Sequence, residues 1–202
     1  MGKGKCFSAK RLTGIAILLA LVIVLQLVGG YFKIGATSFS FVLVPIVLGG
    51  VLYGVWAGAF LGFVFGFITL MFGVTGADPF TSILLQQQPF WTILLCLMKG
   101  TASGLISALV YKAIAKKNEY VALFVASALA PIVNTGLFIV AMLCLFKETL
   151  LANFVSQGMT IYYFLFIGCA GINFLVELAI NLISAPLVYR VIRVVGDKKR
   201  RY

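Results

Sequence analysis

Long apolar runs divide this sequence, and short polar or basic stretches punctuate them. Six runs stand out: about Leu12 to Tyr31, Phe39 to Leu52, Val55 to Phe72, Phe90 to Ala113, Tyr120 to Phe146 and Tyr162 to Arg193. A helix needs roughly 20 predominantly apolar residues to cross about 30 Å of hydrocarbon. Most of the runs meet that requirement. The second is short, so it either tilts little or begins within a protected bundle. Little separates it from the third, yet the two together exceed a single crossing and predict a tight helical hairpin around Tyr53 and Gly54. The pattern predicts an all-α membrane protein, a six-transmembrane-helix bundle forming one integral membrane domain over residues 1–202.

Composition strengthens that reading. Apolar residues make up 62% of the chain and charged residues 10%, against about 45–50% and 25% in soluble domains. A soluble fold of this size could not hide so much apolar surface; a lipid bilayer accepts it. The formal charge of +11 raises the question of nucleic acid, but its distribution answers it. Thirteen of the sixteen basic residues lie at the start, middle and end of the chain, beside apolar runs. With six spans and both termini cytoplasmic, these thirteen are inside, Lys33 and Lys147 are outside and Lys99 is in the membrane, as the positive-inside rule requires. Residues 1–11 are then a basic N-terminal cytoplasmic segment and 194–202 a basic C-terminal cytoplasmic tail. Nucleic acid is not an expected partner. The first run is longer than a signal-peptide core and lacks a following small-residue cleavage site, so an uncleaved first helix is expected.

Small residues predict where the helices pack. Gly58, Gly62 and Gly66 recur every four residues in the third run and open a stripe on which another helix can lie closely, while Gly49, Gly50 and Gly54 serve the turn before it. Gly100 and Gly104, flanked by Ser103 and Ser107, do the same in the fourth run. Ala16 and Ala20 in the first run suit either internal packing or a shallow surface for another protein. Pro131 and Pro186 predict kinks, the first freeing a carbonyl within reach of Asn134 or Thr135.

The candidate chemistry lies in the few polar groups within the runs. Lys99 and Glu177 both approach mid-membrane, where even an insertion scale puts an isolated charge at about 2.5–3.5 kcal/mol. They either pair with each other, fixing the fourth span against the sixth, or face a cavity and a solute. Asn173, Glu177 and Asn181 share one helix face. Asn173, nearest the outside, is the preferred solute contact in that row, and Asn181 reads as structural. Asn134 and Gln26 suit the same outward cavity, with Tyr31, Gln86, Gln87, Gln88 and Trp91 toward its rim; Asp78 and Lys33 are weaker loop candidates. The long outside loops could close such a site.

Soluble enzyme chemistry finds no support. The chain has no His, no phosphate-binding loop, no nucleophile elbow and no zinc-ligand spacing among its four cysteines, so neither metal nor cofactor is expected. Nor does it contain an ATPase module.

Three stretches carry a resemblance: Ala16-Ile17-Leu18-Leu19-Ala20, the segment from Val44 to Ala59, and Leu97-Met98-Lys99-Gly100-Thr101-Ala102-Ser103-Gly104. With the size, the span count and the basic ends, they make the chain similar to an S component, the substrate-binding membrane subunit of an energy-coupling factor vitamin transporter, in the group of pantothenate, folate and riboflavin carriers. The resemblance implies a binder of a small water-soluble vitamin or precursor that works with a transmembrane coupling subunit and two cytoplasmic ATPase subunits. It turns Ala16 and Ala20 toward a coupling-subunit surface, and places the solute among the outward halves of the fourth, fifth and sixth spans. Lys99 then belongs either to shared architecture or to the site. Pantothenate is the leading expectation, because its carboxylate would suit a buried cation; folate and riboflavin are alternatives. An ion-coupled secondary transporter using Glu177 and a purely structural membrane protein are the rival classes.

Overall fold

The computed structural model describes residues 9–30, 33–34, 37–38, 41–155 and 160–200. Nine α-helices run in chain order among the described residues: α1 (Ala9–Gly29), α2 (Leu43–Tyr53), α3 (Val55–Thr75), α4 (Pro79–Gln87), α5 (Pro89–Ile114), α6 (Glu119–Cys144), α7 (Lys147–Asn153), α8 (Ile161–Tyr163) and α9 (Gly171–Arg200). A π-helical stretch, Phe164–Cys169, leads from α8 toward α9, and two short strands, Lys33–Ile34 and Thr37–Ser38, pair antiparallel between α1 and α2.

Among the described residues, five helical segments are long and apolar enough to cross a membrane: α1, α3, α5, α6 and the continuous Ile161–Val194. The expected second span is an 11-residue helix, about 16 Å long and thus about half the hydrocarbon thickness. It is apolar on every side, which suits burial on every side. Val42, Leu43 and Ile46 are fully enclosed, and they join Leu18, Val22, Leu61, Phe65, Leu123, Ala185 and Val188 in the main core. The chain turns between α2 and α3 at Gly54, whose φ of 95° is a conformation open chiefly to glycine. The predicted break therefore falls at the predicted residue.

Glycine governs the contact between α3 and α5. A Cβ at Gly58 would stand 2.7 Å from the Gly104 carbonyl oxygen, and one at Gly62 or Gly66 would collide with the carbonyl oxygens of Gly100 or Cys96. The two backbones touch directly, so dispersion acts over a closely matched surface where lipid offers no hydrophobic gain. Gly50 extends the contact, its missing Cβ leaving room for Ala108.

Polar groups finish the helices. Asn118 caps α6, its side chain accepting from the backbone N–H groups of Tyr120 and Val121 at 3.0 and 3.1 Å. Ser103 on α5 donates to the Ala130 carbonyl on α6 at 2.7 Å, beside the interruption made by Pro131. The carbonyl that Pro131 leaves without its N–H donor is that of Ser127, one turn earlier. The apolar runs did not reveal α4 and α7, which occupy stretches expected to be loops. Asp78-Pro79 is nevertheless a start signal for α4, with proline in the first turn where its missing N–H costs nothing.

Candidate functional site

A cavity of about 90 Å³ lies among α1, α3, α4, α5, α6 and α9. Its lining combines three amides, Gln26, Asn134 and Asn173; three threonines, Thr69, Thr81 and Thr135; three charged groups, Lys99, Asp78 and Glu177; and three phenyl rings, Phe65, Phe80 and Phe138. Polar groups from six helices thus converge on one place.

Helical periodicity brings them there. Ala170, Asn173 and Glu177 follow one face of the last long helix and all three line the cavity, whereas Asn181 turns its amide back to the Glu177 carbonyl at 2.8 Å. The π-helical stretch immediately before Ala170 ends with the Ala170 N–H bonded to the Leu165 carbonyl at 2.8 Å. A π segment shifts the register of the side chains beyond it, and so sets where Asn173 and Glu177 point. On α6, Asn134, Thr135 and Phe138 face the cavity one turn beyond Pro131.

Local bonds hold several of these groups. Thr69 donates to the Phe65 carbonyl at 3.0 Å and accepts from Gln26 Nε2 at 3.3 Å, linking α3 to α1. Thr81 donates to Asp78 Oδ2 at 2.5 Å, orienting that carboxylate at the start of α4. The Lys99 ammonium stands over the Phe138 ring, 5.6 Å from its centroid, where the negative ring face stabilises a cation. Phe138 and Phe80 are themselves 6.0 Å apart, centroid to centroid. Two buried acceptors, Gln26 Oε1 and Asn134 Oδ1, have no hydrogen-bond partner among the described residues.

Five of the expected site residues, Gln26, Lys99, Asn134, Asn173 and Glu177, therefore share one cavity, and Asp78 joins them. The glutamine run does not line it. Gln86 and Gln87 are exposed on α4, with Gln86 directed to Ser82 at 3.5 Å, and Gln88 binds Thr149 of α7 at 3.3 Å. Trp91 is exposed and packs edge-on against Phe90. Tyr31 lies outside the described residues. The threonines and phenylalanines went unnoticed because both residue types are ordinary in apolar helices; only the helix packing separates these from the others. Among the described residues no cluster of His, Cys, Asp and Glu is placed to hold a metal.

The cavity is therefore a polar chamber inside an apolar bundle. A family model described as the substrate-specific component of ECF transporters matches residues 10–189 of the 202. The chain belongs to that family. A comparison with curated proteins gives no match. As an ECF substrate-specific component, the protein is a multi-pass membrane subunit that binds a transported solute, and it is not an enzyme.

Proposed function

We propose that this ECF component captures a small water-soluble vitamin or vitamin precursor in the cavity around Lys99, Asn134, Asn173 and Glu177. Delivery across the membrane then requires a transmembrane coupling subunit and two cytoplasmic ATPase subunits. The observation that carries the reading is the convergence of polar side chains from six helices inside a bundle whose outer faces are apolar. Polar groups at that depth are expensive unless they serve one another or a ligand. A volume of about 90 Å³ is below the usual 300–1,000 Å³ of ligand sites. It suits one polar end of the solute, with the remainder lying beyond the described cavity or admitted when the site opens.

Orientation follows from charge. The lining residues lie in the halves of α1, α3, α5, α6 and the last helix that adjoin three connections, those carrying Lys33, Asp78 and Lys147. Those loops are poor in basic residues, and the positive-inside rule puts them outside. The cavity is then loaded from outside, with both termini cytoplasmic. This orientation retains six crossings, the short α2 completing its path within the bundle.

The coupling subunit has a ready surface on α1. Ala16 and Ala20 are exposed on that helix, beside Ile17, Leu21 and Val24, which are exposed as well. Small residues one turn apart allow close approach by a partner helix. Pantothenate remains a test compound: Lys99 suits its carboxylate, while Asp78 and Glu177 oppose it. Folate and riboflavin belong in the same panel.

Thermal unfolding of the purified protein against water-soluble vitamins and precursors tests this function. A true solute at about 100 times its Kd stabilises by about 2.7 kcal/mol, which raises the melting temperature by roughly 5–10 °C. Absence of any shift across the panel would remove the solute-capture reading and favour a structural membrane protein.

A further inference from the structure

The chain contains five acidic residues, and two of them, Asp78 and Glu177, line this one cavity. Lys99 is the cavity's one cationic residue among the described residues, so two carboxylates face one ammonium. Lys99 is also engaged with the Phe138 ring. A carboxylate entering here would meet a single cation and the repulsion of two like charges.

The neutral groups add a second and independent signal. Gln26 is only 6% exposed and Asn134 only 7%, and each has a side-chain oxygen without a hydrogen-bond partner among the described residues. For Gln26 the bond pattern is self-consistent. Thr69 donates its proton to the Phe65 carbonyl and accepts from Gln26 Nε2. That arrangement leaves Gln26 Oε1 as the buried acceptor. A buried acceptor of this kind is satisfied when a ligand supplies a donor. Phe65, Phe80 and Phe138 add ring faces, which attract cations.

Building on the solute-capture reading, we propose that the solute enters this cavity by a cationic head group rich in N–H donors, an ammonium or amidinium, rather than by a carboxylate. The head group donates to the Gln26 and Asn134 oxygens and is balanced by Asp78 and Glu177. Lys99 offsets part of the negative charge of the chamber. A zwitterionic solute also fits, with its amine toward the carboxylates and its acid toward Lys99.

Binding of charge-matched compounds to the purified full-length protein tests this. Pyridoxamine, pyridoxine and 4-pyridoxate share one ring and differ at a single substituent, which is an amine, a hydroxyl or a carboxylate. Thiamine extends the panel as a second cation, and pantothenate, nicotinate and riboflavin extend it as anions and a neutral compound. The expected result is that the tightest binder of the panel carries a cationic or zwitterionic nitrogen group. Glu177→Gln, Asp78→Asn and Gln26→Leu should each weaken it at least tenfold; Asp78→Asn retains an acceptor for Thr81 and so tests charge without removing that bond. A tightest binder that is a simple anion or neutral compound, or one whose affinity is unchanged in folded Asp78→Asn and Glu177→Gln proteins, overturns the charge assignment and leaves solute capture standing. No binding by any compound in the panel overturns both.

Discussion

Asn134 is a costly group for the interior of a membrane protein. Its side chain is buried and its Oδ1 has no hydrogen-bond partner among the described residues, which carries a desolvation cost of about 1–3 kcal/mol. An apolar replacement of similar size should therefore leave the solute-free protein as stable or more stable, while removing a contact to the solute. Asn134→Leu is expected to hold or raise the melting temperature without ligand and to weaken solute binding about five- to tenfold, as read by calorimetry. The opposite pattern, lower stability with intact affinity, would make Asn134 a packing residue. Gln86→Ala should change neither quantity, because Gln86 is exposed away from the cavity. The same contrast marks how far the site was legible. Gln26, Lys99, Asn134, Asn173 and Glu177 stand out as polar groups in apolar runs, and burial forces such groups together. Gln86, Gln87 and Gln88 stand out equally, but the first two are exposed at the end of α4 and the third is held by Thr149, so composition alone says nothing of their direction.

Between elements, the closest fit is α3 on α5. Gly62 meets Gly100 backbone to backbone, so Gly62→Ala forces the helices apart. Overpacking of this sort costs about 1–3 kcal/mol, which should lower the melting temperature by several degrees. Gly136 provides the control, since a Cβ there meets nothing within 4 Å and alanine also favours the helix. A Gly62→Ala protein as stable as its Gly136→Ala counterpart would mean that the α3–α5 contact is looser than described. The four-residue glycine spacing announced this interface because close helix approach needs small residues at helical period. Its partner residues Gly100 and Gly104 were legible by the same spacing, beside Ala102, Ser103 and Ser107, but which glycine meets which is set by the packing alone. The π-helical stretch over Phe164–Cys169 had no such signature: its sequence is as apolar as an ordinary helix, and one extra residue per turn leaves no mark on composition. The 11-residue α2 was legible as short, and its central position became visible only through the enclosure of Leu43 and Ile46.

Across the whole molecule, the proposed function assigns binding and delivery to different faces. The cavity occupies one end of the bundle, whereas Ala16 and Ala20 lie exposed on α1. Enlarging the α1 surface with Ala16→Leu and Ala20→Leu should therefore leave solute affinity within about twofold and reduce coupled uptake tenfold or more, the loss that about 1.4 kcal/mol of weakened docking produces. Equal loss of affinity would instead place these alanines in the binding fold. The decisive measurement is solute uptake into proteoliposomes by this component alone and by the same component reconstituted with the coupling and ATPase subunits. The account predicts that the chain alone binds the solute without accumulating it, and that accumulation appears only with the partner subunits and ATP. Accumulation by the lone chain at the same rate, driven by a proton gradient and abolished in Glu177→Gln, would contradict it.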